Sequence, residues 1–168
     1  MGGNAFSDTK PIKHEKIPQI IKQIDKVLEQ TGASVFPIGS CASLKAGKIS
    51  GDIDVIVDAD ILANYFRTHE IKSVRRLLRD LFDSAGMKTI LSGVSVHVRT
   101  ELNNNAYQVD IMVVPNAKTA QKFHIHEIPE NSPYKGVHKH MALNELARDH
   151  GLLWSPYEGL WTRGFDNK

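Results

Sequence analysis

Three aspartates in two apolar segments are the residues of this sequence whose spacing suggests a reaction. Asp52 and Asp54 lie in the segment SGDIDVIV, and Asp110 lies in the later segment YQVDIMVVP. Side chains alternate along a β-strand, so Asp52 and Asp54 are expected to project from the same face of a sheet. If the second segment pairs beside the first, Asp110 joins them. Three clustered carboxylates repel one another unless cations neutralise them, and oxygen ligands suit Mg²⁺. The pattern therefore predicts a metal site suited to phosphoryl transfer.

The strands that carry the aspartates are predicted from apolar, β-branched composition. Residues 52–57 and 106–115 each match a buried or half-buried strand. The run Asn103–Asn105 predicts a turn just before the second of these strands. Residues 89–100 alternate loosely and predict a strand that bends at Gly93. We therefore expect residues 89–100 and 106–115 to form a hairpin.

A second feature precedes the first aspartate strand. The dipeptide Gly39-Ser40 ends a short predicted strand over 33–38, and residues 41–51 form a small-residue, basic loop. A loop rich in glycine and serine can bring its backbone close to a ligand.

The sequence also predicts four helices and a small terminal hairpin. The helices span 14–31, 60–84 with interruptions and an Asp60 cap, 117–126 and 134–150, and the hairpin consists of 152–155 and 159–161.

This order of elements predicts an α/β (α+β) fold in which one mixed sheet carries helices on one face. The chain has 168 residues, which suits one domain. We divide it into a loose leader over 1–12, a core over 13–116, and a helical and hairpin extension of the same domain over 117–168. The leader is assigned from its polar, aperiodic sequence.

The composition excludes several classes of protein. Hydrophobic residues make up 41% of the chain and charged residues 24%, which is typical of a globular protein. A formal net charge of +2 permits a polyanionic partner without arguing for one. The single cysteine, Cys41, excludes an internal disulfide and a multi-cysteine zinc site. Because no apolar stretch is long enough for a membrane span, we expect no membrane association and a cytoplasmic location.

Gly39-Ser40, an eleven-residue spacer, Asp52-x-Asp54 and the later Asp110 together resemble the signature of the polymerase-beta-type nucleotidyltransferase superfamily. The segments SGDIDV and VDI resemble the corresponding segments of its family X DNA polymerase branch in particular. The resemblance covers roughly residues 33–151. It implies that the core over 13–116 is a nucleotidyltransferase palm, and that the reaction is two-metal transfer of a nucleotidyl group.

The same resemblance implies roles for individual residues. Asp52 and Asp54 would bridge two Mg²⁺ ions, with Mn²⁺ as an expected substitute, while Asp110 would hold the ion that activates the acceptor hydroxyl. A pair of ions about 4 Å apart can both activate the attacking oxygen and stabilise the leaving pyrophosphate. The expected contacts to the triphosphate or nucleotide are made by Gly39, Ser40, Lys45, Ser50, Gly51 and Tyr134.

One position departs from the family pattern. Family X polymerases often carry an arginine two residues before the third aspartate, and this chain has Gln108 there. The difference concerns how a primer terminus is oriented and leaves metal ligation untouched. Arg99 on the preceding strand is a candidate to compensate.

Three functions are compatible with these residues. The leading hypothesis is transfer of a nucleoside monophosphate from an NTP or dNTP to the 3′ end of a nucleic acid, with release of pyrophosphate. The second keeps this chemistry but uses a protein side chain or a small molecule as the acceptor. The third is a non-catalytic module that binds nucleotide or nucleic acid. The sequence leaves open the sugar of the nucleotide, the use of a template, and a protein partner that completes the nucleic-acid surface.

Overall fold

A five-stranded mixed sheet forms the centre of the computed structural model, which describes residues 5–124, 132–134, 136–157 and 159–162. The strands in chain order are β1 (Ile12–Lys13), β2 (Phe36–Pro37), β3 (Ile49–Ser50), β4 (Ile53–Asp58), β5 (Lys88–Ser92), β6 (Ser95–Leu102), β7 (Asn105–Val114), β8 (Leu152–Ser155) and β9 (Gly159–Thr162). The helices are α1 (Ile17–Leu28), α2 (Ala59–Phe66), α3 (Ile71–Ser84), α4 (Ala117–His124) and α5 (Gly136–Asp149).

The strand order of the central sheet is β2-β4-β7-β6-β5. Strands β4 and β7 run parallel, and the other neighbours run antiparallel. The predicted hairpin turn is confirmed, since Asn103 and Asn104 adopt left-handed φ values of 52° and 60° between β6 and β7. The expected single strand over 89–100 is instead two strands, β5 and β6, because the chain turns at Gly93, where φ is 56°.

Helices cover both faces of this sheet. On one face α1, α2 and α3 bury the larger apolar core against alternate residues of the central strands, such as Val55 of β4 and Ile111 of β7. On the other face Ala117 and Ala120 of α4 pack against Ile56. This corrects the expectation that helices pack on one face only. The α/β class itself is confirmed, and the second face is the one that carries the aspartates.

The leader differs from its prediction. Phe6 and Ile12 are buried, and Ile12 pairs with Ser50 in the two-stranded sheet of β1 and β3. The backbone N–H of Ala5 donates to the Gln108 side chain at 2.9 Å. The described residues 5–12 are therefore packed on the core. The apolar side chains that hold them are too few to give a periodic signal in the sequence.

The start of the second helical region also differs from its prediction. The cap of α2 is Asp58, whose Oδ1 accepts from the backbone N–H groups of Asp60 and Ile61, so Asp60 is inside the helix. The region over 60–84 divides into α2 and α3 at Arg67, where φ is 53°.

The predicted helix over 117–126 is observed to His124, and its last two residues lie outside the described part of the chain. The small terminal hairpin is confirmed as β8 and β9. Among the described residues, no helix has the length and apolar character needed to span a bilayer.

Candidate metal and nucleotide site

The three aspartates meet on one face of the sheet, as the sequence predicts. Asp54 lies in β4 and Asp110 lies directly opposite it in the parallel neighbour β7, while Asp52 precedes β4 by one residue. One carboxylate oxygen from each aspartate can be chosen so that all three atoms lie within 4.8 Å of one another. Asp54 and Asp110 lie on the sheet face that α4 covers, because Asp54 shares a face with Ile56 and Asp110 with Met112, two residues further along each strand.

Burial, together with the neighbouring negative charges, disfavours the ionisation of Asp52 and Asp54. Burial raises the pKa of Asp54 to about 6, with the negative charges of Asp52 and Asp110 adding to the effect and His97 opposing it. Burial also raises the pKa of Asp52, again with a contribution from Asp110. Two half-buried carboxyl groups with raised pKa values beside a third, buried carboxyl group are the electrostatic condition that a divalent cation relieves. The donor set consists of oxygen atoms only, which fits Mg²⁺ or Mn²⁺.

Asp110 is held by two neighbours on the same sheet face. Nδ1 of His97 lies 2.7 Å from Oδ1 of Asp110, and Nε2 of Gln108 donates to the same oxygen at 2.8 Å. The Oε1 atom of Gln108 accepts the backbone N–H of Ala5, so the amide group is fixed at both ends. These bonds set the orientation of the Asp110 carboxylate before any ligand binds.

His97 was not predicted from the sequence, although the sequence contains a signal for it. The Asn103-Asn104 turn pairs Leu102 with Asn105, and counting back along both strands pairs His97 with Asp110. Arg99 was the residue expected to compensate for Gln108. The structure instead pairs Arg99 with Asp8 at 2.8 Å and with Glu101 at 2.8 Å.

The Gly39-Ser40 dipeptide forms a tight turn beside the aspartates. Gly39 has a φ of 57°, and a Cβ atom added to it would lie 3.6 Å from Oδ2 of Asp54. Glycine is therefore favoured by its backbone conformation, while the space beside the carboxylate would accept a Cβ atom in ordinary van der Waals contact. Ser40 is exposed at this turn, and its Oγ lies 2.9 Å from Oγ of Ser50. Ser50 itself is buried and also contacts His14 Nε2 at 2.9 Å.

The other predicted nucleotide contacts are more dispersed. Lys45 is exposed on the loop, and its backbone N–H donates to Nδ1 of His14. Gly51 is exposed, and a Cβ atom added there would meet no other atom within 4 Å, so steric demand does not explain this glycine. Tyr134 is 68% exposed and stands edge-on to His138 with ring centroids 5.9 Å apart.

A different tyrosine lies near the aspartates. Tyr157 packs against the apolar cluster of Ile56 and Met112, and burial raises the pKa of its hydroxyl, with the charge of Asp54 adding to the effect. Its ring stacks on His124 with centroids 4.9 Å apart. The sequence predicts only a turn at Tyr157, since its contacts with β4 and β7 depend on how the terminal hairpin folds back.

No protein-family model and no curated protein match the chain. Solved structures do resemble it. The chain is similar to Leishmania infantum polymerase beta in a ternary P/T complex, with 17% identity and a TM-score of 0.61 over 95% of this chain and 60% of that one. A ternary gap complex of the same polymerase gives 17% identity and a TM-score of 0.60 over 94% of this chain and 53% of that one.

The chain thus spans little more than half of each polymerase chain that it resembles, while nearly all of its own length is matched. At this sequence identity the likeness concerns the fold. Together with the mixed sheet and the parallel β4–β7 pair, it shows that the chain has a polymerase-beta-like fold.

Proposed function

We propose that the protein is a metal-dependent nucleotidyltransferase. It transfers a nucleoside monophosphate from an NTP or dNTP to a hydroxyl group and releases pyrophosphate. The observation that carries this proposal is the meeting of Asp52, Asp54 and Asp110, with carboxylate oxygens within 4.8 Å of one another, on a polymerase-beta-like fold. We assign residues 13–116 to the catalytic core and residues 117–168 to its extension.

Asp52, Asp54 and Asp110 are the proposed metal ligands. Mg²⁺ or Mn²⁺ bound there supplies positive charge to the phosphate oxygens and favours deprotonation of an acceptor hydroxyl. His97 and Gln108 hold the Asp110 carboxylate in one orientation, which reduces the entropy lost when it binds a ligand. The raised pKa of Asp54 makes its affinity for a cation sensitive to pH.

The Gly39-Ser40 turn is the proposed binding site for the β- and γ-phosphates of the nucleotide. It lies beside Asp54, so a triphosphate held by the turn has its α-phosphate within reach of the aspartates. Backbone N–H groups and a serine hydroxyl are suitable donors to phosphate oxygens. Lys45 on the adjoining loop supplies a positive charge. Ser50 and Gly51, at the end of the same loop, are the remaining proposed phosphate contacts. Tyr134 and Tyr157 are the aromatic candidates for contact with the base or the sugar.

A nucleic acid 3′ end is the proposed acceptor. The two polymerase beta structures named above are described as ternary complexes, one a P/T complex and the other a gap complex. A protein side chain or a small molecule would use the same donor site, and the acceptor is therefore tested separately from the transfer reaction.

The test is incorporation of labelled nucleotide into a single-stranded primer and into a gapped duplex, using each NTP and dNTP with Mg²⁺ or Mn²⁺. We expect transfer by the wild-type protein and a loss of more than about a thousandfold in Asp52→Asn and Asp54→Asn, since a bound metal contributes several kcal/mol to catalysis. Asp60→Asn is the matched control, because Asp60 is an exposed aspartate inside α2. Equal activity in all four proteins would refute the proposal. Transfer to protein alone would refute only the nucleic-acid acceptor.

A further inference from the structure

A chain of hydrogen bonds leads from a buried histidine to the exposed Ser40 hydroxyl. We propose that His14 is a positioning residue that directs the Ser40 hydroxyl proton outward, toward a phosphate oxygen of the bound nucleotide, by way of Ser50. This inference rests on the proposed function and adds to it a residue that does not touch the substrate. The three residues lie in three separate segments: the start of the helical region, the loop strand β3, and the turn after β2.

The first link fixes the tautomer of His14. The ring is 1% exposed, and Nδ1 accepts the backbone N–H of Lys45 at 3.2 Å. An amide N–H can only donate, so Nδ1 must present its lone pair. The neutral ring therefore carries its hydrogen on Nε2, which lies 2.9 Å from Oγ of Ser50. Burial lowers the pKa of His14, the charge of Lys48 adds to this effect, and Glu15 opposes it, which agrees with a neutral ring.

The second link follows from the single proton of each hydroxyl. Because Ser50 accepts from His14, its own proton points to another acceptor, and Oγ of Ser40 lies 2.9 Å away. The Cys41 thiol lies 3.9 Å from Oγ of Ser50 as a weak donor to it, so it does not compete with Ser40 for the Ser50 proton. Ser40 therefore accepts from Ser50 and keeps its own proton for donation. Ser40 is exposed, whereas Ser50 is 6% exposed, so the donor at the end of the chain faces the solvent side of the turn.

The surrounding backbone holds His14 in place. The His14 N–H donates to the carbonyl of Lys48 at 3.0 Å, and Ile12 pairs with Ser50 between β1 and β3. The Gly47 N–H donates to Oε1 of Glu15 at 2.6 Å. The loop that precedes Asp52 is thus fastened to the segment around His14 by several bonds. This arrangement gives a role in phosphate binding to a segment that lies 36 residues before Ser50 in the sequence.

The inference predicts which part of a nucleotide depends on His14. An oriented hydroxyl donor avoids the loss of rotational freedom that an unoriented one suffers on binding phosphate. In His14→Phe the ring volume remains, while the bond to Ser50 and the bond from the Lys45 N–H are both lost. We expect His14→Phe to bind inorganic tripolyphosphate with Mg²⁺ about 3- to 10-fold more weakly than the wild type, and Ser40→Ala about 10-fold more weakly. These factors are based on the usual strength of a hydrogen bond to a charged group. KM for the nucleotide should rise in His14→Phe by the same factor as this dissociation constant.

The decisive measurement is a double-mutant cycle on tripolyphosphate affinity by calorimetry. If His14 acts through Ser40, adding His14→Phe to Ser40→Ala costs no further affinity. In His14→Gln the side-chain amide can donate to Ser50, and we expect it to recover part of the loss. Additive losses in the double variant, or no loss in His14→Phe, would overturn the inference. Thermal unfolding of each variant checks that it is folded.

A second readout keeps the inference testable if His14→Phe does not fold. The ¹⁵N shifts of His14 in the wild-type protein at pH 7.5 should show the hydrogen on Nε2 and a bare Nδ1. A hydrogen on Nδ1 would overturn this inference without affecting the proposed function. If the double-mutant cycle gives the expected result but the wild-type protein transfers no nucleotide, the proposed function is overturned and the hydrogen-bond chain stands. If the wild-type protein does not bind tripolyphosphate, the role of the hydrogen-bond chain in phosphate binding is overturned.

Discussion

Replacing Asp54 by asparagine should stabilise the metal-free protein. Asp54 is half-buried next to two other carboxylates, and its pKa is raised from 3.8 to about 6. At pH 7.5 the side chain is ionised in both the folded and the unfolded protein, but ionisation is unfavourable in the folded one. An asparagine has nearly the same shape and no charge, and its amide can donate to the neighbouring carboxylates. The substitution therefore removes the cost of burying a charge and the repulsion by Asp52 and Asp110, but it also removes the proposed function.

The magnitude follows from the pKa. Raising the pKa of a carboxyl group from 3.8 to about 6 destabilises the folded protein by about 3 kcal/mol at pH 7.5, at 1.36 kcal/mol per pH unit. Between these two pH values the folded protein binds more protons than the unfolded one, so its stability falls as the pH rises through this window and is constant above it. At pH 5 the same calculation leaves about half of the penalty.

The assay is thermal unfolding of wild-type and Asp54→Asn protein with EDTA at pH 7.5 and pH 5. For a chain of this length each kcal/mol shifts Tm by about 2–4 °C, so we expect the variant to unfold at least ~4 °C higher at pH 7.5 and the gain to shrink at pH 5. Asp60→Asn is the control, because that aspartate is exposed. It should change Tm by less than about 1 °C at both pH values.

Two results would refute this reasoning. The first is a Tm of Asp54→Asn at or below that of the wild type at pH 7.5, which would mean that ionisation of Asp54 does not destabilise the folded protein. The second is a gain that grows as the pH falls. An increase of similar size in Asp60→Asn would show that net charge, rather than the aspartate cluster, accounts for the effect.

Three further predictions concern neighbouring residues. Mg²⁺ should raise the Tm of the wild type, and its apparent affinity should fall about tenfold from pH 7.5 to pH 5, because protons then compete at Asp54; equal affinity at both pH values would contradict this. Asp58→Ala should lose about 1–2 kcal/mol of unfolding free energy in urea through loss of the α2 cap and of the bond from the Ala117 N–H, whereas Asp60→Ala should lose little; equal losses would refute the assignment of the cap. Gln108→Ala should lose about 1–3 kcal/mol and speed amide exchange at Ala5; unchanged exchange would show that this bond does not hold residues 5–12.

The sequence predicts the two aspartate strands well because strand periodicity and hairpin turns are local signals. Asp52 and Asp54 alternate within one β-branched run, and the asparagine turn before β7 places Asp110 on a strand that follows a hairpin. That the two aspartate segments pair side by side was only a condition of the sequence prediction, and the direction of the pairing was not predicted. In the structure β4 and β7 are neighbours, run parallel and set Asp54 opposite Asp110.

The contacts that the sequence did not reveal join distant segments through few residues. His14 reaches Ser50 because a strand of two residues, β1, pairs with another of two residues, β3, and such short pairs have no detectable period. Tyr157 approaches Asp54 because the chain returns to the sheet after α5. Neither composition nor periodicity encodes these returns. His97 is the exception, since counting residues across the hairpin would have placed it opposite Asp110.

The most direct test of the central claim follows the two ends of one nucleotide. Wild-type protein is incubated with Mg²⁺, a primer, and a nucleotide labelled on either the α- or the γ-phosphate. We predict that the α-label enters the primer and that an equal amount of the γ-label appears as pyrophosphate, with both signals lost in Asp110→Asn. Release of γ-label as inorganic phosphate without α-label in any acceptor would contradict nucleotidyl transfer, and so would full activity in Asp110→Asn.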